Sequence, residues 1–213
     1  MDGVTDLADD LSLLRDLERR LLVYKFAIEE LMTKLRILSE EFDSVHRHDP
    51  IEHITNRVKK PEGILQKLRR KGLPFEPDRI GDQLDDIAGV RVICPFVSDV
   101  YRVSAMLASQ HDVDVLLTKD YIAVPKPNGY RSLHLIVRIP VFLSDRVEHV
   151  KVEVQLRTIA MDFWATLEHK LFYKYDDRPP ADFVDELMSS ALIAAQLDER
   201  MESLHRRIHQ DER

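Results

Sequence analysis

Hydrophobic positions recur along this chain with two different periods, and the change of period divides it into three zones. From residue 7 to about 45, Leu7, Leu11, Leu14, Leu21, Tyr24, Ile28, Leu31, Leu35, Leu38 and Phe42 return at spacings of three, four and seven. Charged residues such as Asp16, Arg19, Glu29 and Lys34 fill the gaps, and no Gly or Pro interrupts the stretch. The pattern predicts an amphipathic helix, or two in succession, with a stripe wide enough to bury. That stripe can pack on its own domain or, because the repeat is close to a heptad, against a helix of another subunit. After Pro179 and Pro180 the helical spacing returns through Phe183, Leu187, Ala191, Ala194, Met201, Leu204 and Ile208, predicting a second long helix.

Between these helices the period is mixed. A short helix begins at Pro61 and closes at Gly72, where a glycine can take the left-handed conformation of a C-cap. AGVRVICPF reads as a strand, residues 99–110 as a helix, and YIAVP, RSLHLIVRIPVF and HVKVEVQLRT as three further strands. IAMDFWATLEHKLFYKY reads as a helix. The order predicts an α+β domain whose sheet is mixed but mostly antiparallel, flanked by helices. The expected division is a helical arm at 1–48, a central domain at 49–178 and a second arm at 179–213. Long helices at both ends of a mixed centre also point to a homo-oligomer.

Composition narrows the class. With 213 residues, 44% hydrophobic and 32% charged, the chain can bury a sizeable core and is neither low-complexity nor disordered. A formal net charge of −7 means that any anion site must be local rather than a property of the whole surface. One cysteine, Cys94, excludes both a disulfide scaffold and a zinc site built of cysteines. The N-terminal MDGVTDLADD is acidic where a secretory leader would be basic and then apolar. No apolar run approaches the ~18–20 residues of a membrane span, so a soluble, cytoplasmic protein is expected.

Candidate chemistry collects in four places. Along 150–157, Val150, Val152, Val154 and Leu156 alternate with Lys151, Glu153, Gln155 and Arg157, and 131–141 alternates similarly with Ser132, His134 and Arg138 on its polar side. Such faces are either solvated or line a polar cleft. KPNGYRSLH has strong turn chemistry at Pro127-Asn128-Gly129, beside Lys126, Tyr130 and His134. That loop suits a base stacked on Tyr130 with phosphates near Lys126, or is a plain hairpin. Residues 57–71 carry Arg57, Lys59, Lys60, Lys67, Arg69, Arg70 and Lys71 against the single acid Glu62, a local patch for RNA backbone or a triphosphate. Asp86 precedes a strand and could pair with Glu153 around Mg²⁺ if the two strands are neighbours. His48-Asp49 and His111-Asp112 lack further metal-ligand spacing and read as incidental.

Taken together, TNRVKKPEGILQKL, LDDIAGVRVI, DYIAVPKPNGYRSLH and VEVQLRTIAMDFWATLEHKLFYKY resemble the synthetase domain of RelA/SpoT-type proteins, in order and spacing, over about residues 50–178. The short chain with its terminal helices is similar to the single-domain small alarmone synthetases. The resemblance implies a nucleotidyltransferase-like fold and a pyrophosphokinase that moves the β,γ-pyrophosphate of ATP to the 3′-hydroxyl of GTP or GDP, releasing AMP. It implies Asp86 and Glu153 as the catalytic, Mg²⁺-holding acids. Arg57, Lys59, Lys67 and Arg91 are implied for ATP, with Arg57 and Arg91 clasping adenine. Lys126, Asn128, Tyr130, His134, Gln155 and Glu168 are implied for the acceptor. A homotetramer is favoured, with alarmone or single-stranded RNA as a regulator. Where some relatives dock product between subunits, this chain has His53, Asn56 and Asp162, and the acid at 162 is expected to oppose that docking. The alternatives are a single-stranded RNA-binding module, which needs neither carboxylate, and a catalytically silent nucleotide sensor, against which the intact motif residues argue.

Overall fold

Alternating aliphatic positions build a five-stranded sheet, and the helical stripes cover one side of it. The structure, a computed structural model, describes residues 2–172 and 180–210. Helix α1 (Asp2–His46) leads to β1 (His53–Val58), α2 (Pro61–Lys71) and, after a 3-10 turn, the single turn α3 (Ile80–Gln83). Then come β2 (Ala88–Cys94), α4 (Val97–Ala108), β3 (Asp114–Asp120), β4 (Leu133–Phe142), β5 (Val147–Thr158), α5 (Ile159–Phe172) and α6 (Ala181–Gln210). Residues 173–175 of the predicted helix and the expected boundary at 178/179 lie outside the described residues.

The strand order is β1-β2-β5-β4-β3. Only β2 and β5 run parallel; the other pairs are antiparallel. On the covered face Val90, Val92, Val152, Val154, Leu156, Leu135, Val137 and Ile139 form one core with Ala27, Ile28, Leu31 and Leu35 of α1 and Val100, Val103 and Leu107 of α4. Of the two uses open to the α1 stripe, this central part packs on its own sheet. Further toward its N-terminus Leu17 joins Ile64, Leu68, Ile80, Leu84 and Ile87, which fastens α2 and α3 to α1. Gly72 closes α2 at φ 66°, as its position predicts.

Two strands differ from the sequence reading. YIAVP is not a strand: Tyr121–Val124 form a turn in which Asp120 Oδ1 accepts the backbone N–H groups of Ile122 and Ala123, both at 2.9 Å. The strand lies just before it, at β3, whose residues are exposed except half-buried Asp120 and whose pairing slips between Val115 and Leu117. An edge strand with a bulge and no buried face shows no alternation to read. β1 went unread for a related reason, since HITNRV is polar and only Ile54 and Val58 are part-buried. The incidental acids are structural: Asp49 caps Ile51 N at 2.9 Å, and Asp112 takes Lys34 Nζ at 2.6 Å.

α6 is docked through carboxylates. Thr158 Oγ1 donates to Asp198 Oδ2 at 2.7 Å while accepting the Met161 N–H at 3.1 Å as the N-cap of α5. Glu202 accepts the Ser98 N–H at 3.1 Å, satisfying an orphan donor in the first turn of α4.

Burial pushes the Asp198 carboxyl up to about 6, against the Thr158 hydrogen bond and the charge of Arg131, with Glu202 adding to the rise. The folded chain therefore keeps this proton to a higher pH than the unfolded chain, so ionisation costs stability and the loss accrues as pH rises from about 4 to about 6. The cost at neutral pH is on the order of 2–3 kcal/mol. Asp198→Asn keeps an acceptor for Thr158 without the charge. Calorimetry should show its Tm exceeding wild type at pH 7 but not at pH 4; an equal difference at both would count against a buried ionising carboxylate.

Candidate active site

The strand register gathers polar side chains on the face that α1 and α4 leave open. Glu153 of β5 stands between Gly89 of β2 and Ile136 of β4, and Gln155 stands between Arg91 and His134. Arg57 of β1 pairs with Gly89, and its side chain lies across that position, with Nε 3.8 Å from where a Cβ at 89 would stand, an ordinary contact distance. A hollow of about 240 Å³ is lined by Thr55, Arg57, Gly89, Arg91, Glu153 and Gln155. A second, of about 510 Å³, shares Arg57 and adds Lys59, Lys60, Gly63, Lys67 and Arg70. Of the two readings of the alternating faces, a cleft is the one observed.

Two acids serve these hollows: Glu153 lines the first, and Asp86 is held by two lysines of the second. Asp86, just before β2, receives Lys59 Nζ at 2.7 Å and Lys67 Nζ at 2.6 Å on Oδ2. Burial works to raise its pKa, but the hydrogen bonds and charges of the two lysines outweigh it and hold the carboxyl below its ordinary range. Its Oδ1 is buried without a hydrogen-bond partner. Glu153 faces His134 Nδ1 at 3.4 Å and accepts Gln155 Nε2 at 2.9 Å. Burial again pushes its pKa upward, and His134 and Gln155 overcome it, while the charge of Asp86 opposes them. Both acids are thus ionised at neutral pH and near enough to feel each other. Among the described residues no cluster of three or more His, Cys, Asp or Glu could hold a metal alone. Two carboxylates, one with an unpaired oxygen, fit instead a hard divalent cation completed by substrate phosphates and water.

The opposite corner is aromatic. Gly129 turns at φ 88°, donating its N–H to Lys126 O at 2.8 Å. Asn128 accepts the Tyr130 N–H at 3.2 Å and donates to Glu168 of α5 at 3.0 Å, so both residues serve the turn. The Tyr130 ring packs on a small core of Trp164, Ala165, Leu187 and Ala191. Its hydroxyl receives Arg157 Nη2 at 2.7 Å and lies 2.7 Å from His134 Nε2. Lys126 Nζ stands 4.5 Å from the ring centroid and 4.7 Å from that of Tyr121.

Of the twelve residues singled out from the sequence, Arg57, Arg91, Glu153 and Gln155 line the first hollow and Arg57, Lys59 and Lys67 the second; Asp86, His134 and Tyr130 join them through side-chain contacts, and Glu168 is tied to the turn through Asn128. Arg57, Lys59, Lys67 and Arg91 lie on the β1–β2 side; Lys126, Asn128, Tyr130, His134, Gln155 and Glu168 on the β4–β5 side; Asp86 and Glu153 between. Sequence reasoning missed Tyr121, read as a strand residue, and gave no role to Arg157, which is 5% exposed and reaches Asp162 at 2.9 Å, Gln155 at 3.1 Å and Tyr130. Asp162 is not the bare charge expected of it, because Arg91 also pairs with it at 3.2 Å.

Residues 56–178 match the sequence profile of the region found in RelA/SpoT proteins. The chain is 50% identical over 199 residues to the GTP pyrophosphokinase YwaC of Bacillus subtilis (strain 168), covering 93% of this chain and 95% of that protein. Among solved structures, small alarmone synthetase 2 from Bacillus subtilis superposes with a TM-score of 0.82 at 50% identity, covering 90% of this chain and 99% of that one. Small alarmone synthetase 1 from Bacillus subtilis bound to its product pppGpp also gives 0.82, at 41% identity, covering 90% of this chain and 97% of that one.

The turn tolerates only glycine at 129. A Cβ there would stand 2.5 Å from Ala191 Cβ and 3.2 Å from Met188 Sδ, on a backbone already at positive φ. Gly129→Ala should cost about 1–3 kcal/mol in chemical denaturation. It should also shift the emission of Trp164, the single tryptophan, toward the red; unchanged stability and spectrum would refute the close packing of turn and α6.

Proposed function

The chain belongs to the RelA/SpoT family, and from that premise we propose that it is a GTP pyrophosphokinase making pppGpp or ppGpp from ATP and GTP or GDP. The observation that carries this reading is the ionised pair Asp86 and Glu153, set between a cationic hollow and an aromatic corner in one cleft. The 3′-oxygen of the acceptor forms a bond to the β-phosphorus of ATP. The bond from that phosphorus to the α,β-bridging oxygen breaks, and AMP leaves with that oxygen. The hydroxyl proton goes to Glu153 or onward to water.

Each residue has a part that follows from its chemistry. Lys59, Lys67 and Arg57 face a polyphosphate whose charge grows on the leaving oxygen, where fixed cations are worth most. The planar faces of Arg57 and Arg91 suit adenine. Tyr130 offers its ring to guanine, and a base on the Lys126 side takes the place of that ammonium, moving it toward the acceptor phosphates. His134 and Gln155 orient Glu153. A 3′-hydroxyl is a very weak acid, so a carboxylate held this far below neutrality takes its proton late, as the new P–O bond forms. Asp86 and Glu153 would hold Mg²⁺, which when bound supplies charge neutralisation to the phosphate oxygens. The synthetase segment is 49–178, with the helices at 1–48 and 179–213 as its flanks.

The reading also includes a homo-oligomer, with a tetramer favoured. It is supported by an apolar groove of about 750 Å³ between α5 and α6, lined by Phe96, Ile159, Phe163, Leu167, Ile193 and Leu197 among others. Phe163 and Ile193 are 66% and 64% exposed there. Contiguous exposed apolar surface of this kind marks a protein contact. Among the described residues no helix is long and apolar enough to cross a membrane, which supports a cytoplasmic enzyme.

Anion-exchange analysis of protein incubated with ATP, Mg²⁺ and GTP or GDP should show AMP rising in step with a more phosphorylated guanosine. Glu153→Gln should lower the rate by roughly 10²–10⁴-fold, with ATP affinity nearly unchanged. No product from folded wild type that still binds nucleotide would return the silent-sensor or RNA-binding reading. In light scattering, wild type should give a multiple of the chain mass and the double variant Phe163→Glu/Ile193→Glu a monomer; an unaltered assembly would move the contact elsewhere.

A further inference from the structure

We propose that Asp162 is a positioning residue that couples the two nucleotide half-sites, holding Arg91 on the ATP side and Arg157 behind the acceptor tyrosine through one carboxylate oxygen. The proposal rests on the synthetase reading and deepens it, because Asp162 touches neither reacting atom.

The geometry is a continuous chain. Asp162 Oδ1 takes Arg157 Nη1 at 2.9 Å and Arg91 Nη1 at 3.2 Å. Arg157 Nη2 then reaches the Tyr130 hydroxyl at 2.7 Å and Gln155 Oε1 at 3.1 Å. The Tyr130 hydroxyl meets His134 Nε2 at 2.7 Å, and His134 Nδ1 faces Glu153 at 3.4 Å. A path of polar contacts thus runs from the guanidinium assigned to adenine to the carboxylate assigned to the attacking hydroxyl.

Charge makes Asp162 the member on which this path depends. Arg157 is almost fully buried, and a buried guanidinium is tolerated only with a paired carboxylate. Burial, followed by the like charge of Arg157, weakens the hold of Arg91 on its proton, and Asp162 opposes both. Without the carboxylate the two arginines would repel each other and Arg91 would swing outward. An edge-on ion pair also leaves the flat face of Arg91 available for stacking, so holding and binding are compatible. The backbone supplies the position: β5 ends at Thr158, α5 starts at Ile159, and Asp162 falls in the first helical turn, where the helix end favours a negative charge.

ATP that fixes Arg91 therefore also fixes Asp162, Arg157 and the hydroxyl of Tyr130, so that part of the ordering cost of acceptor binding is already met. Coupling of this kind is reciprocal, and about 5–150-fold is its usual size; a path through one shared carboxylate puts it at the lower end.

The test is calorimetric titration of GDP with and without saturating α,β-methylene ATP, together with steady-state kinetics. Wild type should bind GDP about 5–20-fold more tightly with the analogue present. Asp162→Asn should reduce that ratio to about twofold or less. It should raise KM for both nucleotides roughly 10-fold, with kcat lowered less than about threefold. Unchanged coupling in the variant, a KM effect on one nucleotide alone, or a lowered Tm with both KM values intact would overturn the proposal, as would wild type without coupling. Should the Asn variant not fold, Asp162→Glu is expected to keep the coupling and Arg157→Lys to lose it, since one ammonium nitrogen cannot occupy both the Nη1 position at Asp162 and the Nη2 position at Tyr130 and Gln155. The reverse order would equally overturn it. Wild type that makes no alarmone would be a failure of the synthetase reading instead, visible before any variant is compared.

Discussion

The parallel pairing of β2 with β5 is the constraint on which everything else in this molecule depends. β1 and β2, with α2 between them, carry the cations and Asp86; the β3–β4–β5 meander carries Tyr130, His134, Glu153 and Gln155. The two groups meet only along the seam where Ala88–Cys94 lies beside Val152–Thr158. Parallel neighbours need a long crossover, and here it includes α4, which returns across the covered face and helps to close it. The register is held by the apolar side: Val90 and Val92 beside Val154 and Leu156 are all essentially inaccessible. A slip of one residue would turn Glu153 and Gln155 into that core and Val154 into the cleft. The hydrophobic alternation and the chemistry are thus two readings of one register.

The cleft solves a charge problem locally in a chain that is acidic overall. Each acid in it is matched to more than one partner: Asp86 to two lysines, Asp162 to two arginines, Glu153 to a histidine and an amide. Matching explains how so many ionisable groups can be half-buried together without a prohibitive desolvation cost. It also sets the terms for substrate. A polyphosphate entering beside Lys59 and Lys67 competes with Asp86 for the same ammonium groups. The partner that Asp86 would then gain, on the proposed reading, is a divalent cation, for which its buried Oδ1 is left without a hydrogen-bond partner. On that reading the lysines and a metal would be alternative ways of balancing the same carboxylate.

How much of this could be read from residues alone depended on whether a signal was periodic. β5 was legible as a clean alternation because one face meets the core and the other the cleft. The 127–129 turn was legible because Pro, Asn and Gly each have a specific backbone reason to be there. Asp86 and Glu153 could be named as a pair only on the condition that their strands are neighbours, a fact of topology that local pattern does not contain. β3 was missed because an exposed, bulged edge has no buried face to betray it. The Arg157–Asp162 pair was missed for a different reason. Its members are five residues apart across a strand-to-helix junction, so neither the period of two nor the period of 3.6 brings them together. Resemblance to a family pointed to the reaction, but this link shows only when both elements have their places.

α5 is the element through which the parts communicate. Its first turn carries Asp162, paired with Arg157 and Arg91, and its middle carries Glu168, which accepts from Asn128 of the turn, while Ile159, Phe163 and Leu167 at intervals of four form the wall of the apolar groove. Its inner side, at Trp164 and Ala165, supports the ring of Tyr130, and Trp164 Nε1 donates to Leu187 O of α6 at 3.1 Å. α6 in turn presses Met188 and Ala191 against Gly129. The 127–130 turn is therefore held from behind by two helices whose outer surfaces are apolar and exposed. Trp164 and Leu187 line that groove as well as supporting Tyr130, so in the proposed assembly a cover over the groove would touch the residues that hold the turn. Rigid helices packed at close-packed density transmit small displacements rather than absorb them. The cationic hollow is braced from another direction, by α1 through the core of Leu17, Ile64, Leu68 and Ile87, and meets α5 through the Arg91–Asp162 pair.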